Sequence, residues 1–453
     1  MAIQPSKLII AFLAVAVICL AGWIMDFSNT VVAVKGPQGR IIETELKVYL
    51  ASPKHLDSYI KRAGESADHT GVFSTLWHFA AGRFHDALNR LFKFDIPGVA
   101  ANIRDYVRAL GWAYSYHTIY CIIFAIIKLV VIAIAGGAIC RISALQFARD
   151  EKPGLTEALR FSVGKITSFV TAPLVPLAII IFIGFFIFLL GLIGSIPIAG
   201  ELIMGIFMFL ALIAGALVTV VLIGAIAGFN LMFPAVAYDG SDCFDAISRS
   251  FSYVYAKPWR MGFYTIIAAV YGAICYVFVR FFAFLLLWVT HLSLQFGVLG
   301  DNKKLTTIWS GPEFMNLCDP PDLAAANWSQ TVAAVLVYLL LLAVVVLVVS
   351  FIISFYFSAN TVIYSLMRKK VDNTALDDVY SPFEQVDTEP TVFEEADTEP
   401  PVTEPEPIVF EQEDTGLTAA ESEPEEVKPK TKKKAKKKSE PEAESDTSSS
   451  QEQ

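Results

Sequence analysis

The sequence predicts an all-α membrane protein: six transmembrane helices with a parallel internal pseudo-repeat, amphipathic interfacial helices and a disordered C-terminal tail. Three observations lead there. Of 453 residues, 55% are hydrophobic and 17% charged, against about a quarter charged in soluble domains. Six apolar stretches reach the roughly 20 residues that a helix needs to cross a bilayer. Finally, most of the acid behind the net charge of −9 lies in the last 80 or so residues, so the apolar part and the tail are different materials.

The first span, 8–25, follows Lys7 and lacks a small-x-small cleavage site, which makes it an uncleaved helix instead of a signal peptide. The others run over roughly 118–140, 174–196, 202–229, 261–289 and 332–357. Lys and Arg mark the cytoplasmic side of short loops. With both termini inside, the inner segments carry Lys7; Arg141, Arg149, Lys152, Arg160 and Lys165; Arg249, Lys257 and Arg260; and Arg368, Lys369 and Lys370. The short outer loops carry only Lys303 and Lys304. The outer segment 26–117 is itself basic and is the exception to this asymmetry.

That outer segment opens with "NTVVAVKGPQGRIIETELKVYL", two β-branched runs around a Gly-Pro turn, the pattern of a hairpin. From Phe73 the apolar residues Leu76, Trp77, Ala80, Phe84, Leu88 and Leu91 recur at helical spacing beside Arg83, Arg90 and Lys93. After "FDIPG" a second stripe holds Val99, Ile103, Tyr106, Val107 and Leu110. Both predict helices in the interface plane that cap the bundle. All six histidines fall on this outer side. His78 and His85 share a face but lie about 10 Å apart at helical rise, too far for one metal on one helix, so no metal or other cofactor is expected. Six cysteines without a CxxC pair predict neither a disulfide framework nor a thiolate site.

Within the five-helix core, 118–368, two polar islands join an inward span to an outward one, at 150–170 and 239–260. An offset of 88 places Glu157 on Asp245, Ala158 on Ala246, Leu159 on Ile247 and Ser162 on Ser250. The stripe Leu159, Val163, Ile166 falls on Ile247, Phe251, Val254, one helix face in each copy. Gly154 and Asp242 occupy the cap positions. Glu157, Ser162, Asp245, Arg249 and Ser250 are therefore expected to serve stability and orientation. The repeat predicts that spans two and three correspond to four and five about an axis along the membrane normal.

Ionisable residues inside spans are candidates for function, and here they are Lys128, Glu201 and Arg280. Glu201 and Arg280 fall at similar depth, so an ion pair is expected between them. Asn230, Pro234 and "TAPLVP" at 171–176 predict bends or ends of spans. Gly224 with Gly228, and Gly191 with Ser195, predict close helix packing. No P-loop, GxGxxG, GxSxG, HExxH or carboxylate cluster at catalytic spacing occurs in the membrane region, which lowers the expectation of an enzyme.

The tail, 369–453, repeats "FEQVDT", "FEEADT" and "FEQEDT" from Phe383, Phe393 and Phe410. Each places an aromatic anchor before an acidic patch, suited to docking a cytoplasmic protein by avidity; local duplication gives the same pattern. "KPKTKKKAKKK" holds eight lysines in 428–438, and such a run gains about 1 kcal/mol per lysine near anionic lipid. Flanking acids compete for it, and no aromatic is interleaved for base stacking, which argues against nucleic acid.

The phrases "GAICRISALQFARDEKPGLTEALRFS", "GSDCFDAISRSFSYVYAKPWR" and "NTVIYSLMRKKVD" resemble landmarks of a group of uncharacterised bacterial polytopic inner-membrane proteins. That group also resembles the membrane domain fused to some glycerophosphodiester phosphodiesterases. The resemblance covers roughly 70–380 and implies a six-span bacterial inner-membrane fold without catalytic residues, since no phosphodiesterase domain is present. Together these features predict a non-enzymatic scaffold or accessory factor. The alternative is a transporter of a small solute or lipid, with a path near Lys128, Glu201 and Arg280.

Overall fold

In the computed structural model the described residues are 3–28, 30–35, 41–63, 68–297, 303–314, 317–318 and 327–380. The chain divides into units 1–389 and 390–453. The tail phenylalanines Phe383, Phe393 and Phe410 and the lysine run lie outside the described residues.

Six described helices are long and apolar enough to cross a membrane: α1 Pro5–Asp26, α6 Thr118–Ala148, α8 Ile166–Gly194, α9 Ala199–Asp239, α11 Pro258–Gly297 and α13 Trp328–Val371. Three of them hold 40 or more residues, about 60 Å at 1.5 Å per residue, twice the hydrocarbon thickness of about 30 Å. The extra length builds the best-packed part of the molecule. At one end, here the proximal end, α1 begins and α6, α9 and α13 finish. There Ile10, Ala138, Ile139, Leu231, Val236, Tyr364 and Met367 are buried together. Away from it, α8 and much of α9 leave their large apolar side chains exposed.

Both prolines of "TAPLVP" lie inside α8, and Pro234 lies inside α9. None of them ends a helix, so of the two outcomes expected there, a bend or an end, the end does not occur. Proline removes one N–H and crowds one turn, a local cost that long apolar helices tolerate. Among the described residues nothing approaches Gly191, where the sequence predicts close packing; Gly194 instead meets Met204. Gly224 and Gly228 do pack closely, against Phe251 and Ser250.

Between α1 and α6 the hairpin forms as the sequence predicts, with β1 Val31–Lys35 antiparallel to β2 Ile41–Thr44. A third strand, β3 Asp68–Thr70, adds to the other edge of β1, giving the order β2-β1-β3. The helices α2 Glu45–Ala51, α3 Leu56–Ala63, α4 Val72–Phe92 and α5 Ile96–Tyr116 complete the segment. Val31, Leu46, Leu56, Val72, Ala109 and Trp112 form its core. The stripe Ile103, Val107, Leu110 on α5 is exposed, while Asn102, Ala109 and Trp112 face inward.

Asp26, the last residue of α1, fixes where α4 begins. Its carboxylate accepts from the backbone N–H of Phe73 at 2.9 Å and of Ser74 at 2.8 Å, and from the Tyr120 hydroxyl at 2.9 Å. One acid therefore caps α4 and ties it to α1 and α6. Asp26→Ala should cost about 1–2 kcal/mol, as other cap losses do, and lower the melting temperature of the detergent-purified chain.

The polar islands contain α7 Leu155–Gly164 and α10 Cys243–Ala256. Gly154 and Asp242 are their N-caps, although the Asp242 side chain makes no capping hydrogen bond. In α10 Ile247 and Val254 are buried. In α7 the corresponding stripe breaks, because Val163 is exposed and Ile166 already belongs to α8. α12 Lys303–Ile308 is a short helix between α11 and α13.

Candidate functional site

The polar residues meet at the proximal end, around Asp239. This residue ends α9, and Gly240, with φ +62°, turns the chain away in the left-handed region that glycine tolerates best. Its carboxylate is 6% exposed, and it lies 3.1 Å from Arg368 Nε on α13 and 3.2 Å from Arg249 on α10. The Tyr364 hydroxyl donates to it as well. Three helices distant in sequence are thus joined through one acid.

Arg249 also forks onto Asp245 one turn earlier, at 3.0 Å and 3.1 Å. Partial burial works against its charge, but Asp245 and Asp239 outweigh that and hold the guanidinium protonated well above its ordinary range. Tyr253 donates to Asp372 at 2.5 Å. Burial first, then the adjacent Asp372 carboxylate, pushes its phenol well above the usual value. The rings of Tyr238, Tyr364 and Tyr253 pack in tilted contact, with centroids 5.9 Å and 5.4 Å apart.

A second layer of contacts clamps residues 372–380 against this knot. Arg368 donates to the Asp378 carbonyl at 2.7 Å and carboxylate at 2.8 Å. Arg141 on α6 is buried; it donates to Ala237 O at 3.1 Å and Tyr380 O at 2.8 Å, with its guanidinium over the Phe161 ring. Arg149 reaches the carbonyls of Asp377 and Val379, each at 3.1 Å. The Tyr380 amide donates to Tyr238 O at 3.0 Å, and the Tyr238 hydroxyl donates to Leu376 O. Sequence composition assigns 369–380 to the tail, whereas α13 runs to Val371 and the following nine residues are held as a strap. The reason is geometric: four backbone carbonyls of the strap meet arginines already present for other purposes.

Chemically this is a clamp. Asp239 and Asp245 each face guanidinium, and the phenols of Tyr364 and Tyr253 donate to carboxylates.

The repeat-joint residues lie in or near the knot. Ser162 is buried and donates to α6 carbonyls, Ile134 O at 2.7 Å and Ala133 O at 3.2 Å. Ser250 is buried and donates to Ala246 O in its own helix at 2.6 Å. Glu157 is exposed on α7. Asp245 and Arg249 form the i,i+4 pair described above.

The intramembrane candidates do not converge. Lys128 is exposed on α6. Glu201 is exposed beside the tight α8–α9 turn and has no ion pair among the described residues, so the expected Glu201–Arg280 contact is absent. Arg280 is buried on α11, donating to Phe314 O at 3.0 Å and Tyr276 at 3.1 Å. The pairing fails because α8 and α9 pack mainly on each other, while Arg280 turns toward the chain that follows α12. Lys128→Ala should leave the melting temperature unchanged, whereas Arg280→Met should lower it by stranding Phe314 O.

His85 accepts or donates at Tyr276, 3.1 Å away, and His117 lies 3.5 Å from the buried Glu45. Among the described residues no group of three His, Cys, Asp or Glu side chains could hold a metal.

Asp239, Tyr364 and Gly240 escape sequence reasoning, and Arg141 and Arg368 enter it only as markers of orientation. The usable signal was a lone Asp-Gly closing a run of some 40 apolar residues, the form of a helix end whose acid needs a partner. Comparison with family models, characterised proteins and solved structures finds no match.

Proposed function

We propose that this chain is a non-enzymatic scaffold of a bacterial inner membrane. Its proximal end faces the cytoplasm, and the clamp presents the C-terminal tail to a cytoplasmic protein. The observation that carries this is the strap. Arg141, Arg149, Arg368 and Tyr238 all spend hydrogen bonds on residues 376–380, immediately before the tail motifs begin at Phe383. A fixed root makes three weak motifs act from one point.

Orientation is supported by charge, since Lys7, Arg141, Arg149, Arg249, Lys257 and Arg368 gather at the proximal end. The exposed Ile103, Val107 and Leu110 suit α5 to an interface. α6–α7–α8 and α9–α10–α11 are two copies of one parallel unit in this scheme. In its support, α7 and α10 begin at Leu155 and Cys243, the same offset of 88. Ser162 and Ser250 each face a glycine of the preceding long helix, Gly137 and Gly228. The separate positions of Lys128, Glu201 and Arg280 lend no support to a polar transport path.

The test is affinity purification of the full chain, a chain ending at Tyr380, and one with Phe383, Phe393 and Phe410 changed to Ala. A partner protein should be lost with the truncation and depleted by the triple substitution. Equal recovery from all three chains rules the tail out as the recruiting element.

A further inference from the structure

A cavity of about 360 Å³ lies among α4, α9, α11 and α13, within the roughly 300–1,000 Å³ of small-molecule sites. Leu88, Tyr276, Phe351 and Phe355 line its apolar length, and Asn230 and Asn360 stand at its proximal part. On α11 the lining runs from Thr265 to Tyr276, about 16 Å at helical rise. The volume is therefore an elongated apolar slot with carboxamides toward one end.

Asn360 is the unexplained residue. The residue is 6% exposed and lines the slot, and no hydrogen bond of its carboxamide is found among the described residues. Asn230 accepts from the Tyr356 hydroxyl through Oδ1, which leaves its amide N–H groups available. The polar atoms of Asn360 are not among the fully buried unpartnered ones, so they open into the slot, where a carboxamide offers a ligand both a donor and an acceptor. No Lys, Arg, Asp or Glu is among the lining residues. The nearest guanidinium along α11, Arg280, is committed to Phe314 O and Tyr276. A phosphate would find no counter-charge here, whereas a hydroxyl or ester oxygen would find both donors and acceptors.

We propose that this slot binds an uncharged membrane lipid of the diacylglycerol class. Its hydroxyl and ester oxygens meet Asn360 and Asn230, and one acyl chain runs along α11 and α13 toward α4. A second groove of about 710 Å³ on the opposite side of the α11–α13 seam, lined by Tyr271, Phe278 and Val362, takes the other chain. The two grooves share Ala268, Phe355 and Ala359.

The experiment uses the full chain in phosphatidylethanolamine–phosphatidylglycerol vesicles doped with a diazirine-bearing diacylglycerol. Photolabelling should map to the lining residues of α11 and α13 and be competed by unlabelled diacylglycerol. Asn360→Leu, which removes the carboxamide that opens into the slot, should fold with unchanged melting temperature and label at least fivefold less. Ala269→Phe, which fills the slot, provides the second variant and should reduce labelling similarly. Undiminished labelling in both variants, competition by phosphatidylglycerol equal to that by diacylglycerol, or cross-links between two copies of the chain through this slot would each overturn the assignment.

Discussion

Asp239→Ala should destabilise the protein by about 3–5 kcal/mol, the cost of stranding one partner of a buried ion pair. Arg368 is 9% exposed and Asp239 6%, so water cannot replace the lost carboxylate. Arg249 and the Tyr364 hydroxyl lose the same acceptor. Asp245→Ala is the calibrating comparison. Its pair with Arg249 has the same i,i+4 geometry as many helix-surface pairs, with 46% and 37% of the side chains exposed, and should cost only about 0.3–0.5 kcal/mol. Melting temperature and membrane abundance of the two variants should therefore differ widely. A double change, Asp239→Leu with Arg368→Met, should recover part of the loss, because an apolar pair leaves no buried charge. If Asp239→Ala melts where Asp245→Ala does, the knot does not hold the proximal end together.

Gly240→Val should release the strap. A β-branched residue at φ +62° costs about 1–2 kcal/mol in backbone strain. Its Cβ would also stand 2.4 Å from the Tyr380 ring, and overpacking of this kind adds about 1–3 kcal/mol. The ring sits on the chain that must move, so the expected outcome is local. The Tyr380 amide, bonded to Tyr238 O in the native protein, should exchange with solvent much faster, and recruitment by the tail should fall even though the motifs are intact. Gly111→Ala, on an exposed helix position with open space, should be neutral or slightly stabilising. Unchanged Tyr380 exchange in Gly240→Val would mean that the strap is held without that turn.

The elements legible in the sequence were those with a local pattern. The hairpin at Val31–Thr44, the starts of α7 and α10, and the six long apolar helices each follow from periodicity, turn residues or run length. Helix ends were less legible. Ile166 and Pro258 begin spanning helices earlier than hydropathy suggests, and α13 continues to Val371 through the polar "SANTVIYSLMRKK". Packing against neighbours keeps those turns helical where composition does not require it. Of the candidate residues, Arg249, Ser162 and Ser250 enter the proximal core or the contacts around it. Lys128 and Glu201 form no ion pair among the described residues, because depth in an apolar run says nothing about which way a side chain faces.

The sequence by itself determined the six described helices long and apolar enough to cross a membrane and the short polar helices α7 and α10 between them, because run length and periodicity are properties of neighbouring residues. Only the tertiary structure decided that Asp239, Arg249 and Arg368 meet, and that residues 372–380 are part of the bundle. Those contacts join positions up to 239 residues apart, where one charge among many has no local pattern, and its partner is set by how the long helices pack.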